Sequence, residues 1–130
     1  MTRPPLLDTH VLLWWMLGDP RLSDTARHLI LEEGGAYASA ASAWEIRTKF
    51  RLGKLTDVRP ELVTSLEAVA GSHNFQPLPI TFADGDLAGS FAADHKDPFD
   101  RMLAAQAINH RLALVSNDAA LDAFGIVRIW

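Results

Sequence analysis

Acidic side chains stand at four separated places in this chain, each at the end of a short apolar run or within a helix-like segment. Asp8 follows Leu6-Leu7, and Glu45 lies within the segment Ala41–Arg51. Asp97 and Asp100 flank Pro98, three residues apart and so on one helical face. Asp118 ends Ser116-Asn117-Asp118, just after the apolar run 112–115. Singly, each has an ordinary structural use. Asp8 and Asp118 suit helix caps, Asp97 and Asp100 suit the positive end of a helix, and Glu45 suits a solvated helix surface. Brought together they differ, because converging carboxylates repel and raise one another's pKa. A protein keeps such a cluster when a cation sits among them. All-oxygen donors, with no cysteine and no histidine pair at ligand spacing, favour Mg²⁺ or Mn²⁺ over zinc. Such an ion activates a water and stabilises the leaving oxygen in phosphodiester hydrolysis.

The elements that must position these acids follow from pattern and punctuation. Pro4 to Leu7 predicts a short strand ending at Asp8, and a helix capped by Asp8 or Thr9 runs to Leu17, closed by Gly18 and Pro20. Ser23 caps a helix to Glu33, stopped by Gly34-Gly35. Ala36 to Ser39 reads as a strand and Ala41 to Arg51 as a helix ended by Gly53. Pro60 opens a segment whose Leu62, Leu66 and Val69 form an apolar stripe. Gln76 to Ile80 reads as a strand that Pro77 and Pro79 push to an edge. Thr81 with Asp84 resembles a capping box for a helix to about Phe91. Pro98 starts a helix through His110; Leu112 to Val115 is a strand; Ala119 to Ala123 is a helical turn; Ile126 to Ile129 is a last strand. Strands alternating with helices imply a parallel sheet covered on both faces, whose ligands gather beyond the carboxyl ends of the strands.

Composition narrows the partners. At 130 residues the chain is read as a single domain, residues 1–130, large enough for a core without staples. It is 48% hydrophobic and 22% charged, which excludes a disordered tail or a coiled coil. With 12 basic and 16 acidic residues it carries a net charge of −4, unlike a basic nucleic-acid module, so any polyanion site must be built locally or with metal ions. The absence of cysteine fits a reducing compartment, and a cytoplasmic protein with no signal peptide is expected. The longest apolar run, Val11 to Leu17, is far too short for a membrane span. Rival chemistries fit poorly. Gly53-Lys54 is no phosphate loop, because Thr48 stands where a glycine is needed and Leu55 follows. There is no nucleophile elbow and no dinucleotide glycine fingerprint. A haloacid-dehalogenase-like phosphatase wants an acid where His10 stands, and a receiver-type phosphoacceptor wants a late lysine where Ser116 stands.

Four segments then resemble, in order and spacing, the motifs of PIN-domain ribonucleases. They are Leu6-Leu7-Asp8-Thr9-His10, Ser39 through Trp44-Glu45-Ile46, His95-Lys96-Asp97-Pro98-Phe99-Asp100-Arg101, and Leu114-Val115-Ser116-Asn117-Asp118. The nearest likeness is to the VapC-type toxins of bacterial toxin–antitoxin pairs. The resemblance implies a three-layer α/β/α domain with a short, mostly parallel sheet. It implies a metal-dependent endoribonuclease that cuts single-stranded stretches of structured RNA such as transfer or ribosomal RNA, works as a homodimer and is inhibited by a cognate antitoxin. Asp8, Glu45, Asp100 and Asp118 become the acids that bind Mg²⁺ or Mn²⁺. Thr9 and Ser116 become supporting hydroxyls, and Asp97 an outer acid or a helix cap. The alternative is a PIN-like module that binds RNA or protein without cleaving.

Further expectations come from the residues themselves. Arg47, Arg51 and Lys54 fall at i, i+4 and i+7, a stripe that either tracks an RNA backbone or is a solvated basic face, and Lys49 lies four residues from Glu45. The first helix is apolar nearly all round, which makes Trp14 or Trp15 the expected meeting point with a second subunit or antitoxin. Arg101, about 100° round the helix from Asp100, need not neutralise it and is free to pair with Asp97 or reach a phosphate, between which the sequence does not decide. Trp44 and Trp130 read as core or edge packing, and His10 and His95 as exposed or packed side chains rather than ligands.

Overall fold

A five-stranded, all-parallel sheet organises the chain, with strand order β3-β2-β1-β4-β5. The computed structural model describes residues 3–32 and 35–130. The strands are β1 (Pro5–Leu7), β2 (Tyr37–Ser39), β3 (Gln76–Leu78), β4 (Ala113–Val115) and β5 (Arg128–Ile129). The α-helices are α1 (Thr9–Leu17), α2 (Asp24–Leu31), α3 (Ala40–Arg51), α4 (Pro60–Thr64), α5 (Leu66–Ser72), α6 (Phe82–Ser90) and α7 (Pro98–Asn109), with a 3-10 helix over Ala119–Phe124. The expected end of the second helix, at Glu33 and Gly34, lies outside the described residues. Pro77 sits in the edge strand β3, as an imino nitrogen that cannot donate requires.

Strand alternation divides the core into two layers. Leu7, Ala38 and Val115 face one side, where they meet Val11, Leu12 and Leu13 of α1, Ile30 of α2, Ile46 of α3 and Val63 of α4. Leu6 and Leu114 face the other, against Leu103, Ala104 and Ala107 of α7 and Leu121 and Phe124 of the 3-10 helix. The result is the expected three-layer α/β/α arrangement. The stripe after Pro60 does not lie on one helix. Ser65 leaves helical geometry at φ −147°, ψ 85°, splitting the segment into α4 and α5, and its hydroxyl caps α5 by accepting from Ala68 N–H.

From β1 the chain moves outward to β2 and β3, then crosses back to β4 and on to β5. The direction reverses between the adjacent strands β1 and β4. Such a reversal opens a crevice at the carboxyl ends of the two strands, the usual ligand position in open α/β sheets.

Helices α6 and α7 are locked by a buried carboxylate. Asp84 closes the capping box with Thr81 and also accepts from Asn109 Nδ2 (2.9 Å) and His110 Nε2 (3.2 Å) at the far end of α7. Burial works against its charge, but these hydrogen bonds outweigh it and hold the carboxyl below the usual carboxylate range. A lowered folded pKa means stability present above the unfolded value, near 4, and lost as pH falls through the folded value. Asp84→Ala should therefore cost about 2–3 kcal/mol at neutral pH in urea unfolding, with a smaller penalty near pH 3. An unchanged urea midpoint at pH 7 would remove this lock.

Candidate active site

Asp8 sits where β1 ends and α1 begins, buried at the crevice between β1 and β4. Its Oδ1 accepts from Thr9 N–H (2.7 Å), capping the helix. Its Oδ2 accepts from Ser116 Oγ (2.6 Å), which arrives from the end of β4, and Asp118 N–H donates to the same hydroxyl (3.1 Å). The Thr9 hydroxyl hydrogen-bonds Ser42 Oγ of α3 at 2.9 Å, tying the first motif to the second. Burial is the main force that pushes the Asp8 carboxyl above its ordinary pKa. The Ser116 bond opposes it, and the Glu45 charge adds to the rise.

Glu45 points inward from α3 and is only 2% exposed. Ser39 positions that helix by capping it through Ala41 N–H (2.9 Å) and by donating to the buried Gln106 of α7. One Glu45 oxygen, Oε2, accepts from Lys49 Nζ, one helical turn on. The other, Oε1, is the one buried side-chain polar atom among the described residues with no hydrogen-bond partner.

Asp100 occupies the first turn of α7. Its Oδ2 accepts a 2.8 Å bond from His95 Nε2. Burial pushes its carboxyl up to about 6, against the His95 bond, with the charges of Asp97, Asp8 and Glu45 adding to the rise. Lys49 answers these charges. Burial lowers its pKa, but the bond to Glu45 and the fields of Glu45, Asp97 and Asp100 carry it above the ordinary lysine value. Asp8, Glu45, Asp97 and Asp100 therefore share one electrostatic neighbourhood, drawn from three separate parts of the chain.

Other expected residues lie in different places. Asp97 caps α7, accepting from Phe99 N–H (2.9 Å) and Asp100 N–H (3.2 Å). Asp118 is exposed, caps the 3-10 helix through Ala120 N–H (3.0 Å) and acts through its charge on Arg128. It does not figure among the charges that shift Asp8 or Asp100. Helix α3 stops at Arg51, and Gly53 turns the chain at φ +73°, so Lys54 leaves the expected stripe. Arg47 bends to the Val63 carbonyl of α4.

Two expectations, those for Arg101 and Trp14, need correcting. Arg101 neither pairs with Asp97 nor stands free for a phosphate. Its guanidinium donates to four backbone carbonyls, those of Ala88, Phe91, Ala93 and His95, and so fastens the α6–α7 connection that carries His95. Trp14 is 7% exposed, covered by Trp130 (ring centroids 5.8 Å apart) and by the Arg21 guanidinium, so its own domain hides it. Trp15 is half-buried, its indole N–H on His73 Nδ1 (3.3 Å) and its ring near Phe75. Trp44, expected in core or edge packing, takes the edge: it packs against Phe99 and is 58% exposed. What the sequence did not give for His95 and Arg101 is their partners; no helical period links His95 to Asp100, because Pro98 starts the helix between them.

Among the described residues no three histidine, aspartate or glutamate side chains are arranged to hold a metal ion as they stand. Their oxygens are turned to partners within the chain: Thr9 and Ser116 on Asp8, Lys49 on Glu45, His95 on Asp100. The donor set nonetheless fits a hard divalent cation. It is all carboxylate oxygen, its charges strain one another, and Glu45 Oε1 is desolvated with nothing to bond.

No curated protein matches the sequence as a relative. Solved structures share its fold. DNA-bound VapBC from Salmonella typhimurium is 20% identical at a TM-score of 0.70, over 100% of this chain and 98% of that one. FitAcB from Neisseria gonorrhoeae is 20% identical at 0.66, over 97% and 96%. VapBC2 from Rickettsia felis, bound to a promoter DNA fragment, is 14% identical at 0.66, over 97% and 98%. The PIN domain profile matches residues 6–127, nearly the whole span that builds the sheet and its acidic crevice, and the chain belongs to the PIN domain family.

Proposed function

We propose that this PIN domain is a VapC-type toxin, a metal-dependent endoribonuclease held in check by a cognate antitoxin. The observation that carries the reading is Glu45 Oε1, a buried carboxylate oxygen with no partner, in a crevice where Asp8 and Asp100 are both driven toward protonation. Asp8, Glu45 and Asp100 would hold Mg²⁺ or Mn²⁺, with Asp118 the fourth acid that the family resemblance supplies. A bound ion of this kind offers an acidified water and neutralises charge on a phosphodiester. The chain's own groups do the rest. Ser116 fixes the rotamer of Asp8 through Oδ2, Thr9 N–H fixes the other oxygen, and His95 fixes Asp100. Lys49 holds the Glu45 charge in place when no ion is bound.

The antitoxin reading rests on the fold neighbours, several of which are toxin–antitoxin complexes. A groove of about 610 Å³, lined by Leu12 and Met16 of α1, Ile46 of α3, Leu66 of α5 and Phe75, offers an apolar seat for a partner segment. Among the described residues no helix is long and apolar enough to cross a membrane.

The test uses purified protein freed of antitoxin and incubated with total RNA in Mn²⁺, Mg²⁺ or EDTA, beside Asp100→Asn. Discrete cuts that need metal, vanish in the variant and leave 5′-phosphate and 3′-hydroxyl ends are expected. Ends carrying a 2′,3′-cyclic phosphate would contradict activated-water attack. The Lys49 ammonium on Glu45 favours one second reading, a module that binds RNA or protein without cutting. That reading stands if Asp100→Asn keeps the full biological effect.

A further inference from the structure

Helices α3 and α7 each present an aromatic residue immediately before the acid they deliver: Trp44 before Glu45 and Phe99 before Asp100. The two rings meet across the helices, centroids 4.6 Å apart and 72° between planes. Neighbouring helical residues are separated by a rise of 1.5 Å and a turn of about 100°. The aromatic pair therefore borders the acidic crevice, while the carboxylates turn inward. Trp44 is the most exposed of the chain's four tryptophans: Trp14 is buried, and Trp15 and Trp130 are half-buried.

Three of the cations near the site are committed, and Lys96, beside Asp97, is exposed. Lys49 holds Glu45, Arg101 holds four carbonyls, and Arg47 holds the Val63 carbonyl. A chain of net charge −4 with Arg47, Lys49 and Arg101 engaged and Lys96 left to meet a phosphate has a modest Coulombic grip on a polyanion. Stacking supplies what charge does not, since every base offers a π face and one stacked base is worth about 1–3 kcal/mol. A base paired in a duplex has both faces covered, whereas an unpaired base can leave its stack and lie on an indole.

Resting on the nuclease reading above, we infer that Trp44, braced by Phe99, is the platform for an unpaired base next to the phosphodiester held at the acids. The platform makes the enzyme favour single-stranded RNA through contact rather than charge.

The test is carried out in the Asp100→Asn background, which prevents cutting, with a fluorescein-labelled twelve-nucleotide oligoadenylate RNA, free or annealed to its complement. Trp44→Ala should weaken binding of the single strand about tenfold and leave the weaker duplex binding unchanged. Trp44→Phe should restore most of the loss. The slope of log affinity against log salt should stay the same, because no charge is removed. Indole fluorescence should be quenched by the single strand and lose most of that quench in Trp44→Phe. Phe82→Ala, at a 97% exposed aromatic on α6, is the control and should change nothing. Circular dichroism and sedimentation confirm folding and assembly. Equal affinity with and without Trp44, in a protein that otherwise cuts RNA, overturns the platform and leaves the nuclease standing. Loss of self-association in Trp44→Ala assigns the residue to a protein interface and also overturns it. Failure of the unmutated chain either to bind or to cut RNA removes the nuclease reading and the platform together.

Discussion

Asp100→Asn is expected to abolish RNA cleavage and, at the same time, to make the metal-free protein harder to unfold. On the proposed metal-nuclease reading the first effect follows from losing a ligand charge; the second follows from what that charge costs the fold. Burial and the neighbouring charges of Asp97, Asp8 and Glu45 lift the Asp100 carboxyl to about 6 despite its bond from His95. A tenfold change in proton affinity is worth about 1.4 kcal/mol, so ionised Asp100 costs the fold at most about 3 kcal/mol at neutral pH. The side chain is partly open to water, and screening brings the expected gain in the variant nearer ~1–2 kcal/mol, or a few degrees in melting temperature. The asparagine oxygen can still accept from His95, so the hydrogen bond is kept.

The sign with pH is fixed. A carboxyl whose folded pKa is raised binds more protons folded than unfolded, so stability falls as pH rises from about 4 to about 6. The variant's advantage should thus be full above pH 6 and absent near pH 4. Thermal unfolding in EDTA at both pH values measures it. Mn²⁺ should then raise the melting temperature of the unmutated protein far more than that of the variant, since a ligand stabilises the state that binds it. A variant that melts below the unmutated protein at pH 7.5 in EDTA would show the acids to be structural caps.

Arg101 carries the second large effect. Its guanidinium is the common donor for the carbonyls of Ala88, Phe91, Ala93 and His95, and its plane lies near the Phe91 ring. Alanine there strands four acceptors in a half-buried loop and should cost about 3–4 kcal/mol in urea unfolding. Lysine restores the charge but not the planar fork, and should recover less than half of that. Because the same loop delivers His95 to Asp100, amide exchange over residues 91–97 should quicken in Arg101→Lys, and cleavage should fall about tenfold through kcat. Stability and exchange unchanged by lysine would reduce the guanidinium to a surface charge.

The sequence was informative wherever one residue's local chemistry decides the outcome. Asp8 ending β1 and capping α1, Thr81 closing its box on Asp84, Pro98 opening α7 and Pro77 marking an edge strand all rest on backbone groups within four residues. It was less so where the deciding partner comes from elsewhere in the fold. The apolar stripe after Pro60 has a helical period, yet Ser65 breaks it, because the hydroxyl gains a cap that periodicity does not record. The all-round apolarity of α1 suggested a missing partner for Trp14, but Trp130, at the other end of the chain, supplies it. For Arg101 the acceptors are backbone carbonyls, which every residue possesses, so no side-chain pattern could have named them. The shared neighbourhood of Asp8, Glu45, Asp97 and Asp100 was legible from their places after strands and on helices, while Asp118 lies apart from it. Which of their oxygens would lack a partner was not legible, because that depends on Lys49 choosing Glu45 Oε2 over Oε1.

The hydrogen bond from Ser116 to Asp8 spans 108 residues of chain and joins the two strands on either side of the reversal in the sheet. Asp8 leaves the ribosome 108 residues ahead of its partner Ser116 at the end of β4. Until Ala113–Val115 pairs with Pro5–Leu7, the first acid has neither its serine nor its strand. The first acid therefore takes its final geometry only after β4 has been made and has paired with β1.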